Sequence, residues 1–137
     1  MVAKRSIDSQ LRALGIRFWM RGRSEVSELR NILQPGERIE HCIYGYYGGG
    51  SGILVATSNR LMLVDKRPLY LHLEELSYDS IHESMMIQKF MQTTFFIRSG
   101  MKRLRFRSLC DERLKRMHSY VRRRLAEIER DVRDSTA

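Results

Sequence analysis

The chain has 137 residues, 42% of them hydrophobic and 30% charged, with 9 glycines and 2 prolines. That is one domain of ordinary size, too short for two independent cores, and the composition excludes disordered and collagen-like chains. Twenty-five Lys and Arg against 16 Asp and Glu give a net charge of +9, which favours anionic partners such as nucleic acid or acidic headgroups without choosing between them.

The charge is unevenly placed. Residues 1–23 carry a net +5 and residues 98–109 another +5, whereas residues 34–97 are mildly acidic at −2. No apolar run approaches the roughly 20 residues that cross a bilayer, and residues 1–10 carry Lys4, Arg5 and Asp8 without the apolar stretch of a secretory signal. Cys42 and Cys110 lack Cys-x-x-Cys or Cys/His spacing, so neither a disulfide framework nor a zinc site is predicted, and a reducing cytoplasm is the expected location.

In chain order, Ile7, Leu11, Leu14 and Phe18 recur at helical spacing, with Arg12, Arg17 and Arg21 on other faces. Gly22 interrupts this first helix. Ser24 is placed to cap a second, whose stripe of Val26, Leu29, Ile32 and Leu33 stops at Gln34-Pro35-Gly36. Residues 1–34 thus read as a basic helical extension.

Beyond it come seven short runs rich in β-branched and aromatic residues, over 38–47, 53–57, 60–65, 69–73, 82–89, 92–98 and 101–107. The glycine run Gly48-Gly49-Gly50-Ser51-Gly52 separates the first two, and Ser58-Asn59 separates the next pair, with Asn59 suited to left-handed geometry. A Ser99-Gly100 loop would pair Phe95 with Leu104 and Thr93 with Phe106 on a core face. It would set Phe96 opposite Arg103 on the other. After Ser108, a candidate N-cap followed by Asp111 and Glu112, the residues Leu114, Met117, Val121, Leu125, Ile128 and Val132 step by three and four along a final amphipathic helix. Residues 35–131 form the expected body and 132–137 a disordered tail. The fold class is mainly β with α.

Seven strands followed by one amphipathic helix is the element order of a pleckstrin-homology (PH) barrel. The stretches Leu33-Gln34-Pro35-Gly36-Glu37, Gly45-Tyr46-Tyr47-Gly48-Gly49-Gly50 and Leu54-Val55-Ala56-Thr57-Ser58-Asn59-Arg60-Leu61-Met62-Leu63-Val64-Asp65-Lys66, with Tyr78-Asp79-Ser80-Ile81, resemble the bacterial PH family typified by YokE-like domains. The resemblance covers about residues 33–130. It implies a seven-stranded bent β-barrel capped by a C-terminal α-helix, and self-association. In eukaryotic lipid-binding PH domains the loop after the first strand and its flanks carry Lys and Arg that grip inositol phosphates; here that loop carries none.

The same glycine loop lacks the Gly-Lys-Ser/Thr ending of a phosphate loop and joins strand to strand, so it reads as a turn. Arg103, Arg105 and Arg107 alternate on one face of the last strand, with Arg98 and Lys102 near the turn. This row can bind phosphates, or it can be a charged edge that discourages strand addition. Phe18 and Trp19 beside Arg17, Arg21 and Arg23 could face an anionic membrane or pack on the barrel. Strand five has apolar groups on both faces; Met86, Phe90 and Phe96 are expected to share an outer surface that the N-terminal helix or a second copy would cover.

His41, His72, His82 and His118 lack metal-ligand spacing, Glu74 and Glu75 are adjacent on a strand, and no nucleophile elbow occurs. No enzyme, metal or cofactor is therefore predicted. The expected function is a non-catalytic interaction module that self-associates and docks a protein partner. The alternative is a peripheral binder of anionic lipid headgroups at the inner face of the membrane, with RNA or DNA binding third.

Overall fold

The computed structural model describes residues 4–16, 23–109 and 111–136. Helix α1 (Lys4–Ala13) and helix α2 (Ser24–Ile32) precede strands β1 (Ile39–Tyr47), β2 (Gly50–Thr57), β3 (Arg60–Arg67) and β4 (Tyr70–Ser77). A single 3-10 turn (Tyr78–Ser80) leads to β5 (Glu83–Lys89), β6 (Gln92–Ser99), β7 (Lys102–Ser108) and the long helix α3 (Asp111–Thr136). The strands form one bent antiparallel sheet in the order β4-β3-β2-β1-β7-β6-β5, and α3 packs on its inner face. This is the mainly β architecture predicted, with seven strands, a terminal helix and an N-terminal helical extension.

Two apolar clusters sit on opposite sides of the sheet. Inside, Ile43, Leu54, Leu61, Leu63, Phe95, Ile97, Leu104 and Phe106 meet Leu114, Met117, Tyr120 and Val121 of α3. Outside, Ile7 and Leu11 of α1 and Val26 and Leu29 of α2 cover Cys42, Ile53, Val55, Met62 and Val64. Strands β2 and β3 are therefore buried on both faces, which is why Ile53-Leu54-Val55-Ala56 and Leu61-Met62-Leu63-Val64 are continuous apolar runs. Strands β6 and β7 are buried on the inner face alone and alternate.

Several expectations are corrected. The first helix stops at Ala13, not at Gly22. Gly15 at φ +74°, with Gly15 N–H donating to Arg12 O and Ile16 N–H to Leu11 O, closes it in a Schellman turn. Arg113 of α3 holds its end by donating to the Leu14 and Gly15 carbonyls. Ser24 does not cap α2; it is the first helical residue, and its hydroxyl donates to Lys66 O. Strand β2 begins at Gly50, inside the glycine run, and Gly52 is required there because a Cβ would strike the Val64 carbonyl oxygen. Asn59 does not adopt positive φ; instead Thr57 Oγ1 accepts from the Asn59 and Arg60 amides and holds that turn. Ser108 ends β7 and its hydroxyl donates to Tyr44 O, whereas α3 starts at Asp111 and runs through Thr136.

At the end of the sheet where β2 turns into β3, a buried ion pair joins the elements. Glu37, with no exposed side-chain surface, accepts from Arg60 Nε at 3.0 Å and Nη2 at 2.9 Å, from Gln34 N–H at 3.0 Å and from Thr57 Oγ1 at 2.5 Å. Arg60 also reaches Ile32 O at 2.8 Å and Glu75 at 2.9 Å. Tyr78 and Tyr120 both donate to Thr57 O. Burial alone would raise the Glu37 pKa. The hydrogen bonds from Arg60, Gln34 and Thr57, with the Arg60 charge, bring it below its ordinary 4.5.

Removing one partner of such a pair leaves an uncompensated buried charge. Arg60→Met is expected to cost about 3 kcal/mol in urea unfolding, and a loss below about 1 kcal/mol would show that the pair is no clamp. Because the folded Glu37 pKa is depressed, its contribution is present above pH 4.5 and is lost as pH falls through the lower folded value. Glu37→Gln should therefore flatten the acid limb of the stability profile.

Candidate functional site

The helices of the extension cover the outer face of β1–β3, and among the described residues nothing packs over the outer face of β5–β7. Its make-up follows from the register. Antiparallel partners share a face, so the outer residues fall into three rows: Glu83, Arg98 and Arg103; Met85, Phe96 and Arg105; Ile87, Thr94 and Arg107, the last continued by Tyr46 of β1. Strand β7 thus presents a column of three arginines, about 6.8 Å from one to the next. Strand β5, at the sheet edge, presents half-exposed Met85 and Ile87. A shallow cavity of about 450 Å³ opens between them, lined by Glu83, Met85, Phe96, Arg98, Arg103 and Arg105 among others.

The register rests on the β6–β7 turn. Gly100-Met101 forms the two-residue loop, with Gly100 at φ +61° in the first central position, and Ser99 pairs with Lys102. The expected Ser99-Gly100 loop is therefore displaced by one residue. Phe95 lies opposite Phe106, and Phe96 opposite Arg105 rather than Arg103. The shift of two in pairing keeps every side chain on its predicted face.

Electrostatically the face is one-sided. Arg98 lies 3.8 Å from Glu83, and the Arg105 guanidinium sits 5.6 Å above the Phe96 ring. Among the described residues, Arg103, Arg105 and Arg107 have no carboxylate within ion-pairing distance. Beneath this half, His118 of α3 stands edge-on to Phe95 at 5.2 Å, and burial holds its pKa below the ordinary value. Cys42 lies under the extension, where burial pushes its thiol up to about 12, so it packs as a small apolar residue. A second cavity, at the start of α2, is lined by Arg23 and Arg67, which are engaged by Glu25 and Asp65.

Of the residues singled out from sequence, Arg98, Arg103, Arg105, Arg107 and Phe96 come together on this face. Lys102 is exposed at the turn and alternates toward the other side. Met86 does not join them: it pairs with buried Phe95 and belongs to the inner face, while Met85 takes the outer position. Phe90, 92% exposed, stands with Met91 at the β5–β6 turn, where Met91 holds φ +57°. Phe18 and Trp19 lie outside the described residues. The outer surface near strand five was expected to be covered by the N-terminal helix or a second copy; the described part of the helical stripe is spent on β1–β3. The charged-edge reading of the arginine row also fails, because β7 lies inside the sheet between β1 and β6. Met85, Ile87 and Tyr46 were missed because nothing local to them fixes the pairing of β5 or of β1 with β7.

A family model described as Bacterial PH domain matches residues 33–123, from the residue after α2 through the first half of α3, and includes both Glu37 and Arg60. No YokE-like subtype is assigned by that match. No curated protein matches the chain. Among the described residues no helix is long and apolar enough to cross a membrane.

A column of like charges without counter-ions does nothing for folding. Replacing Arg103, Arg105 and Arg107 by Gln is expected to leave the urea midpoint unchanged or slightly higher. A clear fall would assign the column a structural role.

Proposed function

The chain belongs to the bacterial PH-domain family, and from that premise we propose that it docks an acidic protein partner on the outer face of β5–β7. PH domains are interaction modules. The observation that carries the proposal is the contrast between the two halves of the sheet. One outer half is covered by the chain's own helices; the other, lined by Met85, Ile87, Phe96 and four arginines, is covered by none of the described residues.

The residue types favour protein over the other anionic partners. Aromatic residues, Met and Arg are enriched at protein interfaces. Nucleic acid would use the arginines but leave Met85 and Ile87 without a role, and Arg105 already occupies one side of the Phe96 ring. A bilayer requires protruding apolar groups, whereas Met85 and Phe96 line a recess. A second copy meeting this face would bring four arginines and one glutamate against the same set, so the partner is of opposite charge. Self-association, which the family resemblance implies, is assigned to another surface. Light scattering should give the same mass for wild type and for a variant with the column reversed to Glu.

Photocrosslinking in the native cell tests the proposal, with a benzoylphenylalanine at position 85 or 96 and, as control, at position 71 on β4. The expected result is adduct to an acidic protein from 85 and 96 and not from 71, abolished when Arg103, Arg105 and Arg107 are changed to Glu. Adducts of twice the chain's own mass, or to nucleic acid or lipid alone, or no adduct, would overturn it.

A second reading, contact with anionic lipid headgroups, is favoured by another observation. Because neighbouring strands alternate in direction, the β3–β4 and β6–β7 turns lie at the same end of the sheet. There Leu69 and Met101 are fully exposed, with Arg67 and Lys102 beside them. Leu69→Ser with Met101→Ser should weaken co-sedimentation with phosphatidylserine vesicles in low salt; wild type that never sediments would remove this reading.

A further inference from the structure

We infer that the partner element on the β5–β7 face is an acidic amphipathic α-helix, lying along the strands with carboxylates at i, i+4 and i+8 on Arg103, Arg105 and Arg107 and its apolar stripe on Met85, Phe96 and Ile87. The inference rests on the docking proposal above and specifies its chemistry.

Three observations lead to a helix. An element lying over the middle of a sheet face finds side chains beneath it and no free backbone groups, so it must satisfy its own N–H and C=O groups. A helix does so within itself. The alternative, an extended segment added to the β5 edge, would stand three strand spacings, about 14 Å, from the β7 arginines, too far for a carboxylate side chain to pair with the column. Strand addition would leave that charge unused.

The molecule also contains an example of the arrangement. On the other half of the same outer face, α2 lays Val26 and Leu29 on the sheet beside Met62 and Val64. The bare half offers the corresponding surface, with arginines added along one flank.

The spacing agrees as well. Alternate residues of a strand are about 6.8 Å apart, so Arg103, Arg105 and Arg107 fall near 0, 6.8 and 13.6 Å along β7. Residues i, i+4 and i+8 of a helix fall near 0, 6 and 12 Å on one side. The mismatch stays under about 2 Å, which a long arginine side chain absorbs. With the helix axis above β6, its apolar stripe faces the Met85, Phe96 and Ile87 patch and one flank faces β7, a neighbouring strand about 4.8 Å away.

Fluorescence anisotropy with the full chain and three labelled 18-residue peptides of closely matched composition tests this. The first carries a Leu stripe flanked by Glu at i, i+4 and i+8; the second moves the Glu residues to the face opposite the stripe; the third repeats the first with two central prolines. The first should bind at least about tenfold more tightly than either of the others. Arg103→Glu, Arg105→Glu and Arg107→Glu together should abolish that preference, and a Lys-flanked peptide should regain binding on this variant. Should circular dichroism show the triple variant unfolded, Arg105→Gln with Phe96→Ala provides the same readout.

Equal binding of the three peptides, all sensitive to the arginine column, would overturn the helix and leave the acidic docking face standing. Silence of all three peptides, with binding of a single-stranded oligonucleotide or of phosphatidylserine vesicles lost on reversal of the column, would overturn the docking proposal with it.

Discussion

Glu37 and Arg60 are separated by the whole of β1 and β2, yet their forked ion pair fixes how the remaining elements meet. Arg60 stands at the start of β3 and reaches the last carbonyl of α2 at 2.8 Å, so the extension is tied to the sheet. Its other amino group takes Glu75 of β4. Thr57, at the end of β2, gives Glu37 its hydroxyl proton and accepts the turn amides, while its carbonyl takes the hydroxyls of Tyr78 and Tyr120. Burying two charges is costly. Here each carboxylate oxygen receives two hydrogen bonds, so little of that cost is left uncompensated. Placed where α2, β2, β3, β4 and α3 converge, the cluster explains why a Pro-Gly-Glu turn and an Ala-Thr-x-x-Arg hairpin occur in the same chain.

From that anchor the division of the sheet follows. With α2 tied beside β3, the extension lies on β1–β3 and leaves β2 and β3 buried on both sides. Its described residues pack on β1–β3 and not on β5–β7. The outer residues there stay in contact with water, including the half-exposed Met85 and Ile87. Fully burying side chains of that size is worth about 1.5–3 kcal/mol each. With 46% and 37% of the two residues' surface still exposed, the folded chain leaves somewhat under half of that stabilisation to be gained from whatever covers the face.

Much of this was legible in the sequence. The Leu33–Lys66 stretch carried the family, and the alternation of Arg103, Leu104, Arg105, Phe106 and Arg107 placed the arginines on one face before any pairing was known. The contrast between the continuous run Leu61–Val64 and that alternation also encodes which half is covered twice, whereas the weight of apolar groups near strand five drew the expected cover, by the extension or a second copy, to that strand. What could not be read is set by distant contacts. Gly45 and Gly52 look like ordinary strand glycines until the Arg107 and Val64 carbonyl oxygens are found where a Cβ would be. Met85 and Met86 are equivalent in sequence, and only the pairing of Met86 with Phe95 sends one inward and the other out. Gly15 ends α1 because Ile16 folds back onto Leu11, a contact that Phe18 at helical spacing obscured.

The distribution of charge across the open half runs against what stability or solubility alone would choose. An edge strand is where a chain needs charged side chains to prevent unwanted pairing, and the edge here is β5. Between Glu83 and Lys89 its outer positions carry Met85 and Ile87 instead. The arginines stand on β7, whose backbone is already flanked by β6 and β1 and needs no such protection. Self-repulsion among three unneutralised guanidinium groups opposes folding slightly, and solubility would be served as well by the same charge spread over the surface. Placing the apolar column where association is easiest and the cationic column beside it gives up protection to present a two-part surface, and the partner proposed above would satisfy both columns at once.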